Sequence, residues 1–385
     1  MDQSNRVGQF IKYSVVAGEH YAAYMPKPLP PVPALEMSGL YPLLDKANTA
    51  LGRLDGMSLV LPDPSLFIYM YIRKEAVLSS QIEGTQSSLS DLLLFENQGA
   101  PGVPLDDVTE VSCYVTAMNY GLDRLKEFPM SLRLILEIHG KLMNNARGGN
   151  KNPGEFRTSQ NWIGGTRPGN ARFVPPPPDR LMEALDSFEK FLHDDTLKLP
   201  ALIKAALAHV QFETIHPFLD GNGRLGRLLI TFILCVEGVL KEPLLYLSLY
   251  LKAHRQLYYD HLQAVRETGD WESWVAFFLK GVADTADQAT QTARAIIGLF
   301  EKDRVLIENT GKSGTALWAV YQHFQHHPVS NTTRLRKQTQ KSLPTILRSL
   351  AVLEELGIIK EVSGKERHKV FHYPEYLDTL SKGTE

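Results

Sequence analysis

Apolar residues recur at spacings of three and four along most of this chain. Leu40, Leu43, Leu44, Ala47 and Leu51 form one such stripe, and Leu66, Tyr69, Met70, Ile72 and Ala76 another. The pattern predicts amphipathic helices from Leu35 to about Leu122. A second helical block is predicted from Leu132, Leu136, His139 and Leu142, then over Leu181 to Phe191 and Ala201 to Gln211. Helical periodicity resumes at Leu225 and runs to about Asn309, with a long segment from Trp271 onward. Two regions break it. The proline-rich run Pro26 to Pro33 predicts an extended strap, because proline removes donors and disfavours helix. Gln160 to Gly164 and Ala171 to Val174 flank a Gly/Pro/Asn tip and precede four prolines, Pro175 to Pro178, which predicts a β-hairpin with a rigid exit.

The run Asn309-Thr310-Gly311-Lys312-Ser313-Gly314 reads as a linker, and the chain changes character beyond it. A short helix near Ala316 to Phe324 precedes a basic helix over Thr332 to Thr339. A third helix spans Leu343 to Leu356, with Gly357 as its C-cap before Ile358-Ile359, and a two-stranded tail turns at Ser363-Gly364-Lys365. That order predicts a helix-turn-helix followed by a wing. The reading is mostly α in three parts: an N-terminal helical region over 1–123, a core over 124–309 and a small winged domain over 314–385.

Composition adds little to this, and charge adds a local feature. The 385 residues are 43% hydrophobic and 22% charged, with a formal net charge of −2, so the whole chain does not attract nucleic acid or anionic membrane. Residues 312–385, however, carry 11 Lys/Arg against 7 Asp/Glu, most of the excess coming from Arg334, Arg336, Lys337, Lys341, Arg348, Lys365, Arg367 and Lys369. DNA contact through Arg348 and the wing, or protein docking, both follow from that excess. Cys113 and Cys235 suit neither a zinc pattern nor a disulfide framework and are predicted to be buried free thiols. No signal peptide is visible, and the most apolar stretch, Leu225 to Leu240, is interrupted by Arg227 and Glu237 and too short for a bilayer. The expectation is a soluble cytoplasmic protein with no membrane contact.

The candidate chemistry sits in Phe212 to Arg227, FETIHPFLDGNGRLGR. Helical pattern stops at Ile215 and restarts at about Arg224. Between them Gly221, Asn222 and Gly223 allow backbone angles that most residues avoid. Successive N–H groups in such a turn, at the start of a helix, make an anion-binding concavity. Arg224 and Arg227 share one face of that helix, as a di- or triphosphate requires. Asp220 would repel phosphates unless Mg²⁺ intervened, and His216 supplies an imidazole able to accept a proton. A histidine before proline is commonly a packing residue, and Asp-Gly-Asn-Gly alone is commonly a surface turn. All of these parts at these offsets describe attack of a hydroxyl on a phosphate.

The stretch resembles the signature of the Fic family, HPFx(D/E)GNGRxxR, at every fixed position. The resemblance extends over roughly Pro64 to Ala289. It implies a Fic-type helical core with one β-hairpin flap, and transfer of AMP from ATP to a Ser, Thr or Tyr hydroxyl of a target protein with release of pyrophosphate. It assigns His216 as the base, Asp220 as the Mg²⁺ ligand, Gly221, Asn222 and Gly223 as the anion hole, and Arg224 and Arg227 as phosphate-binding arginines. Phe218 would be a core anchor. Ser79-Ser80-Gln81-Ile82-Glu83-Gly84 resembles the inhibitory motif (S/T)xxxE(G/N) of one class of the family. There the Glu83 carboxylate, paired with Arg227, would occupy the γ-phosphate position. The same glutamate can assist hydrolytic removal of AMP in enzymes of this type. The hairpin over 160–174 resembles the family's flap, whose open edge pairs with an extended target segment. Tyr258 is assigned beside the nucleoside, and a homodimer is compatible with the reading. Two alternatives stand: a Fic-like transferase of phosphocholine, UMP or phosphate, and a DNA-binding regulator with a nucleotide-sensing core.

Overall fold

The structure, a computed structural model, describes residues 3–14, 20–60, 64–97, 104–144, 151–311, 314–364 and 369–384. It begins with strands β1 (Gln9–Ser14) and β2 (His20–Met25), paired antiparallel with Gln9 opposite Met25. The expected proline strap is therefore preceded by a hairpin that the sequence reading missed. Phe10 packs edge-on against Tyr24 at 5.1 Å, and Tyr13 stacks on Tyr21 at 5.7 Å. Aromatic contacts of this kind stabilise a two-stranded unit.

The N-terminal helices are α1 (Tyr41–Val60), α2 (Pro64–Ile82), α3 (Leu89–Glu96) and α4 (Leu105–Leu125). The central set is α5 (Leu132–Leu142), α6 (Leu181–His193), α7 (Ala201–Ile215), α8 (Asn222–Val236), α9 (Ser248–Ala253) and α10 (Arg255–Thr268). The long α11 (Trp271–Asn309) runs beside α1. In α2 every residue from Met70 to Ser80 is buried, and α7 and α8 are buried nearly all round, so these three form the centre of the bundle. Among the described residues no helix is long and apolar enough to cross a membrane.

Beyond Gly311 come α12 (Thr315–His326), β3 (Val329–Asn331), α13 (Thr332–Thr339), α14 (Leu343–Glu355), β4 (Lys360–Glu361), β5 (Val370–His372) and α15 (Pro374–Ser381). The sheet has three strands in the order β3-β5-β4, where sequence predicted two. Gly357 has φ 73°, as a C-cap glycine requires. Lys312 and Ser313 of the expected linker, and Lys365 and Arg367 of the wing, lie outside the described residues. Helix α15, also missed, returns the chain to the bundle. Lys74 Nζ on α2 donates to Lys382 O at 2.8 Å and Gln81 Nε2 to Thr384 O at 2.9 Å.

Two further expectations change. The hairpin over 160–174 is a single antiparallel bridge between Ile163 and Phe173, with a 3₁₀ turn at Pro168–Asn170, and not a pair of strands. Gly164 and Gly165 take φ of 70° and 71°, and prolines 175–178 lack N–H groups, so no ladder extends. Cys113 and Cys235 are free thiols on α4 and α8 as expected, but half-buried.

Helices α4 and α8 approach closely where a Cβ on Gly121 would run into the buried ring of Phe232. Gly121→Ala is expected to cost about 1–3 kcal/mol by overpacking. Urea unfolding should show a lower midpoint with an unchanged slope.

Candidate active site

Helix α7 ends where His216 takes the left-handed conformation, φ 49° and ψ 59°, its N–H still bonded to Phe212 O at 2.9 Å. Such a conformation costs a non-glycine residue about 1–3 kcal/mol and persists only where its surroundings hold it. Pro217 follows and cannot continue the helix. Phe218, fully buried, stacks on His139 at 3.7 Å and anchors the loop, as the sequence reading expected. Gly154 N donates to His139 Nδ1 at 2.9 Å, so Nε2 carries the proton and donates to Asp220 O at 3.0 Å.

Gly221, with φ 79°, is the N-cap residue of α8, and no side chain caps this helix. The side chain of Asn222 is spent elsewhere: its Oδ1 accepts from Phe218 N at 2.9 Å and its Nδ2 donates to Phe218 O at 2.8 Å. Asn222 therefore staples the loop and offers an anion only its backbone. Leu225 N makes the first intrahelical bond, to Gly221 O at 3.0 Å. The N–H groups of Asn222, Gly223 and Arg224 then have no intrahelical acceptor, which is the arrangement that binds anions at helix starts.

This turn opens on a cavity of about 630 Å³, lined also by His216, Asp220, Arg224, Arg227 and Glu83, and roofed by Trp162, Ile163 and Phe173 of the bridged segment. Arg227 is almost fully buried. Its Nε donates to Ser79 Oγ at 2.8 Å, and its Nη2 donates to Ser79 O at 3.0 Å and to Glu83 Oε1 at 2.6 Å. Ser79 and Glu83, singled out from one short motif, thus meet the same guanidinium. Burial alone would raise the Glu83 pKa, but the adjacent Arg227 charge and hydrogen bond outweigh it and the net shift is downward. Gly223 is what lets the carboxylate in, since a Cβ there would collide with Glu83 Oε1.

Arg224 has a different partner, one that sequence reasoning missed. Its Nη1 lies 3.0 Å from Glu110 Oε1 on α4, both side chains only 4% exposed. Among the described residues Nε and Nη1 of Arg224 have no aligned hydrogen-bond acceptor, although the Glu110 carboxylate compensates the charge. Asp220 Oδ1 accepts from Gly221 N at 2.7 Å, and Oδ2 lies 3.2 Å from Lys151 Nζ. Among the described residues no cluster of three or more His, Cys, Asp or Glu could hold a metal alone. One carboxylate suits Mg²⁺ that takes its other ligands from phosphate and water.

His216 Nδ1 faces Glu213 O at 3.3 Å, with Glu213 Oε2 at 3.9 Å. Burial first, then the Arg266 charge, lowers the imidazole pKa to about 4, so it is neutral across the neutral range. Burial raises the Glu213 carboxyl to about 7. Tyr258 lines the cavity but is buried, and its hydroxyl hydrogen-bonds His209 Nε2 at 2.8 Å. Its neighbour Tyr259 lines the same cavity and is less buried. Glu110, Glu213 and Lys151 carry no signal in a single sequence, since each reads as an ordinary helix or loop charge.

The Fic/DOC family N-terminal model matches residues 41–123 and the Fic/DOC family model residues 129–234, which include Ser79, Glu83, Glu110 and His216 to Arg227 but not Tyr258 and Tyr259 of α10. Residues 41–234 thus carry the domains of the Fic/DOC family. It is 32% identical over 253 residues to protein adenylyltransferase Fic of Aedes aegypti, covering 63% of this chain and 46% of that protein. It is 31% identical to the Culex quinquefasciatus protein of the same name, with the same coverage. The chain thus spans about half the length of the curated relatives it matches. In fold it is similar to a Fic family protein from Desulfovibrio desulfuricans G20, with TM-score 0.56 and 18% identity over 89% of this chain and 97% of that one. It is also similar to Fic-1 from C. elegans, with TM-score 0.52 and 23% identity over 69% of this chain and 74% of that one.

Glu83→Gly leaves Arg227 buried with Ser79 as its hydrogen-bond partner. The substitution is expected to destabilise by about 1–3 kcal/mol. Tripolyphosphate should raise the melting temperature more in the variant than in the parent, because the anion replaces the lost carboxylate.

Proposed function

We propose that this Fic protein transfers AMP from ATP to a Ser, Thr or Tyr hydroxyl of a target protein, and that its resting state is restrained by Glu83. The observation that carries the reading is one cavity lined by a neutral histidine, the uncapped start of α8 and two arginines. His216 Nε2 accepts the proton of the target hydroxyl. The hydroxyl oxygen attacks the α-phosphorus, and the bond from that phosphorus to the bridging oxygen breaks to release pyrophosphate. Backbone N–H groups of Asn222 and Gly223 receive the growing negative charge, and Arg224 and Arg227 hold the β- and γ-phosphates. Mg²⁺ held by Asp220 would neutralise phosphate charge. Tyr258 packs beneath the nucleoside end of the cavity.

Restraint follows from the ion pair of Glu83 with Arg227 at 2.6 Å, since one guanidinium cannot serve both carboxylate and γ-phosphate. The target segment is proposed to pair in extended form with the edge over 160–174, beside the exposed Trp162. For the winged-helix segment a protein partner is favoured over DNA, because α14 exposes Leu343 and Leu347 beside Arg348. A gel shift that weakens with salt would reverse that preference.

Glu83→Gly should raise pyrophosphate release from ATP at least about tenfold, equivalent to about 1.4 kcal/mol of barrier. Adding His216→Ala should abolish it. An unchanged or lower rate in the Glu83 variant removes the restraint. With His216 lowered to about 4, the base is available above that pH. The acid limb of kcat/KM should therefore fall below the ordinary histidine value near 6.5.

A further inference from the structure

The left-handed His216 is held from a direction that the signature motif does not contain. Arg157, 3% exposed, sends Nε to His216 O at 2.9 Å and Nη2 to Ile215 O at 3.4 Å and Pro176 O at 2.5 Å. Its own N–H donates to Pro217 O at 2.9 Å. Among the described residues no carboxylate pairs with this guanidinium, so its hydrogen bonds go to backbone carbonyls. Asn161, half-buried four residues further on, donates from Nδ2 to His216 O at 3.0 Å and to Phe218 O at 2.9 Å. Two side chains therefore converge on one carbonyl oxygen, that of the left-handed residue. They come from the segment that leads into the Ile163–Phe173 bridge.

Left to itself, a residue after a helix end and before proline would relax toward the extended region, which turns its side chain elsewhere. Peptide planes are rigid, so fixing the carbonyls of Ile215, His216, Pro217 and Phe218 fixes the rotation about His216. The ring then rests with Nδ1 toward Glu213 O, and Nε2 has no hydrogen-bond partner among the described residues. We propose that Arg157 and Asn161 are positioning residues for the catalytic base, holding His216 left-handed so that Nε2 faces the cavity. The assignment also links the base mechanically to the segment on which the target docks. It rests on the reading of His216 as the base.

The test uses the full chain carrying Glu83→Gly, with Arg157→Ala, Arg157→Lys or Asn161→Ala added. Steady-state pyrophosphate release is followed against ATP with Mg²⁺. For Arg157→Ala, kcat should fall on the order of a hundredfold, the scale of a misplaced catalytic group. The KM for ATP should stay within about twofold of the parent, because the phosphate contacts are untouched. Millimolar guanidinium should restore part of kcat in Arg157→Ala and none in His216→Ala. Arg157→Lys should recover less than guanidinium does, lacking the planar fork. Should Arg157→Ala fail to fold, Asn161→Ala decides, with a fall of kcat at constant KM expected. Parent-like kcat in the alanine variants, or kcat and KM worsening together without rescue, overturns the assignment. If His216→Ala itself retains activity, the transfer reading fails instead.

Discussion

The guanidinium of Arg227, buried at the centre of the bundle, is held here by an anion, and the arrangement around it follows from which anion that is. Arginine cannot escape the cost of burial by losing its proton. In this structure Ser79 and Glu83 satisfy it, and the pair with Glu83 pushes the Arg227 pKa further up. That single contact ties the end of α2 to the second turn of α8. It also fills the space over Gly223, where the helix start presents unused N–H groups. Carboxylate and phosphate oxygens both accept from a guanidinium, so in the proposed reaction the restraint and the substrate would compete for one site. Arg224 is different. Its Glu110 partner compensates the charge without an aligned hydrogen bond, which suits the phosphate contact proposed for it.

The second constraint is conformational. The loop between α7 and α8 must turn sharply enough to bring a histidine from the end of one helix over the start of the next. Left-handed His216 and Gly221 make that turn, and the buried Phe218 and the Asn222 staple hold it. Burial keeps the imidazole neutral, which a base requires. The same burial that stabilises the bundle thus sets the protonation state at its centre.

Much of this was legible in the residues themselves. Helical periodicity located α5 to α8 and the long α11, and the glycines and arginines of one nine-residue run marked the anion turn. Ser79 and Glu83 were found because a motif named them, and the structure brings both to Arg227. What stayed hidden was tertiary. Glu110 and Glu213 gain meaning only from the helices opposite them, and α15 only from the bundle it caps. The segment over 160–174 was misjudged because its strand-like residues are outvoted by glycine and proline, leaving one bridge. Strands β1 and β2 were not legible because QFIKYS and HYAAYM lack a clean alternation of apolar and polar residues. Asn222 shows the finer limit: the motif gives its position, but only the folded loop commits its side chain to Phe218.

The most direct measurement of the central claim is the intact mass of the Glu83→Gly protein, together with a candidate target, after incubation with ATP and Mg²⁺. A gain of AMP is expected, and it should disappear when His216→Ala is added. A gain of phosphate alone, or an AMP gain that survives loss of His216, would contradict it.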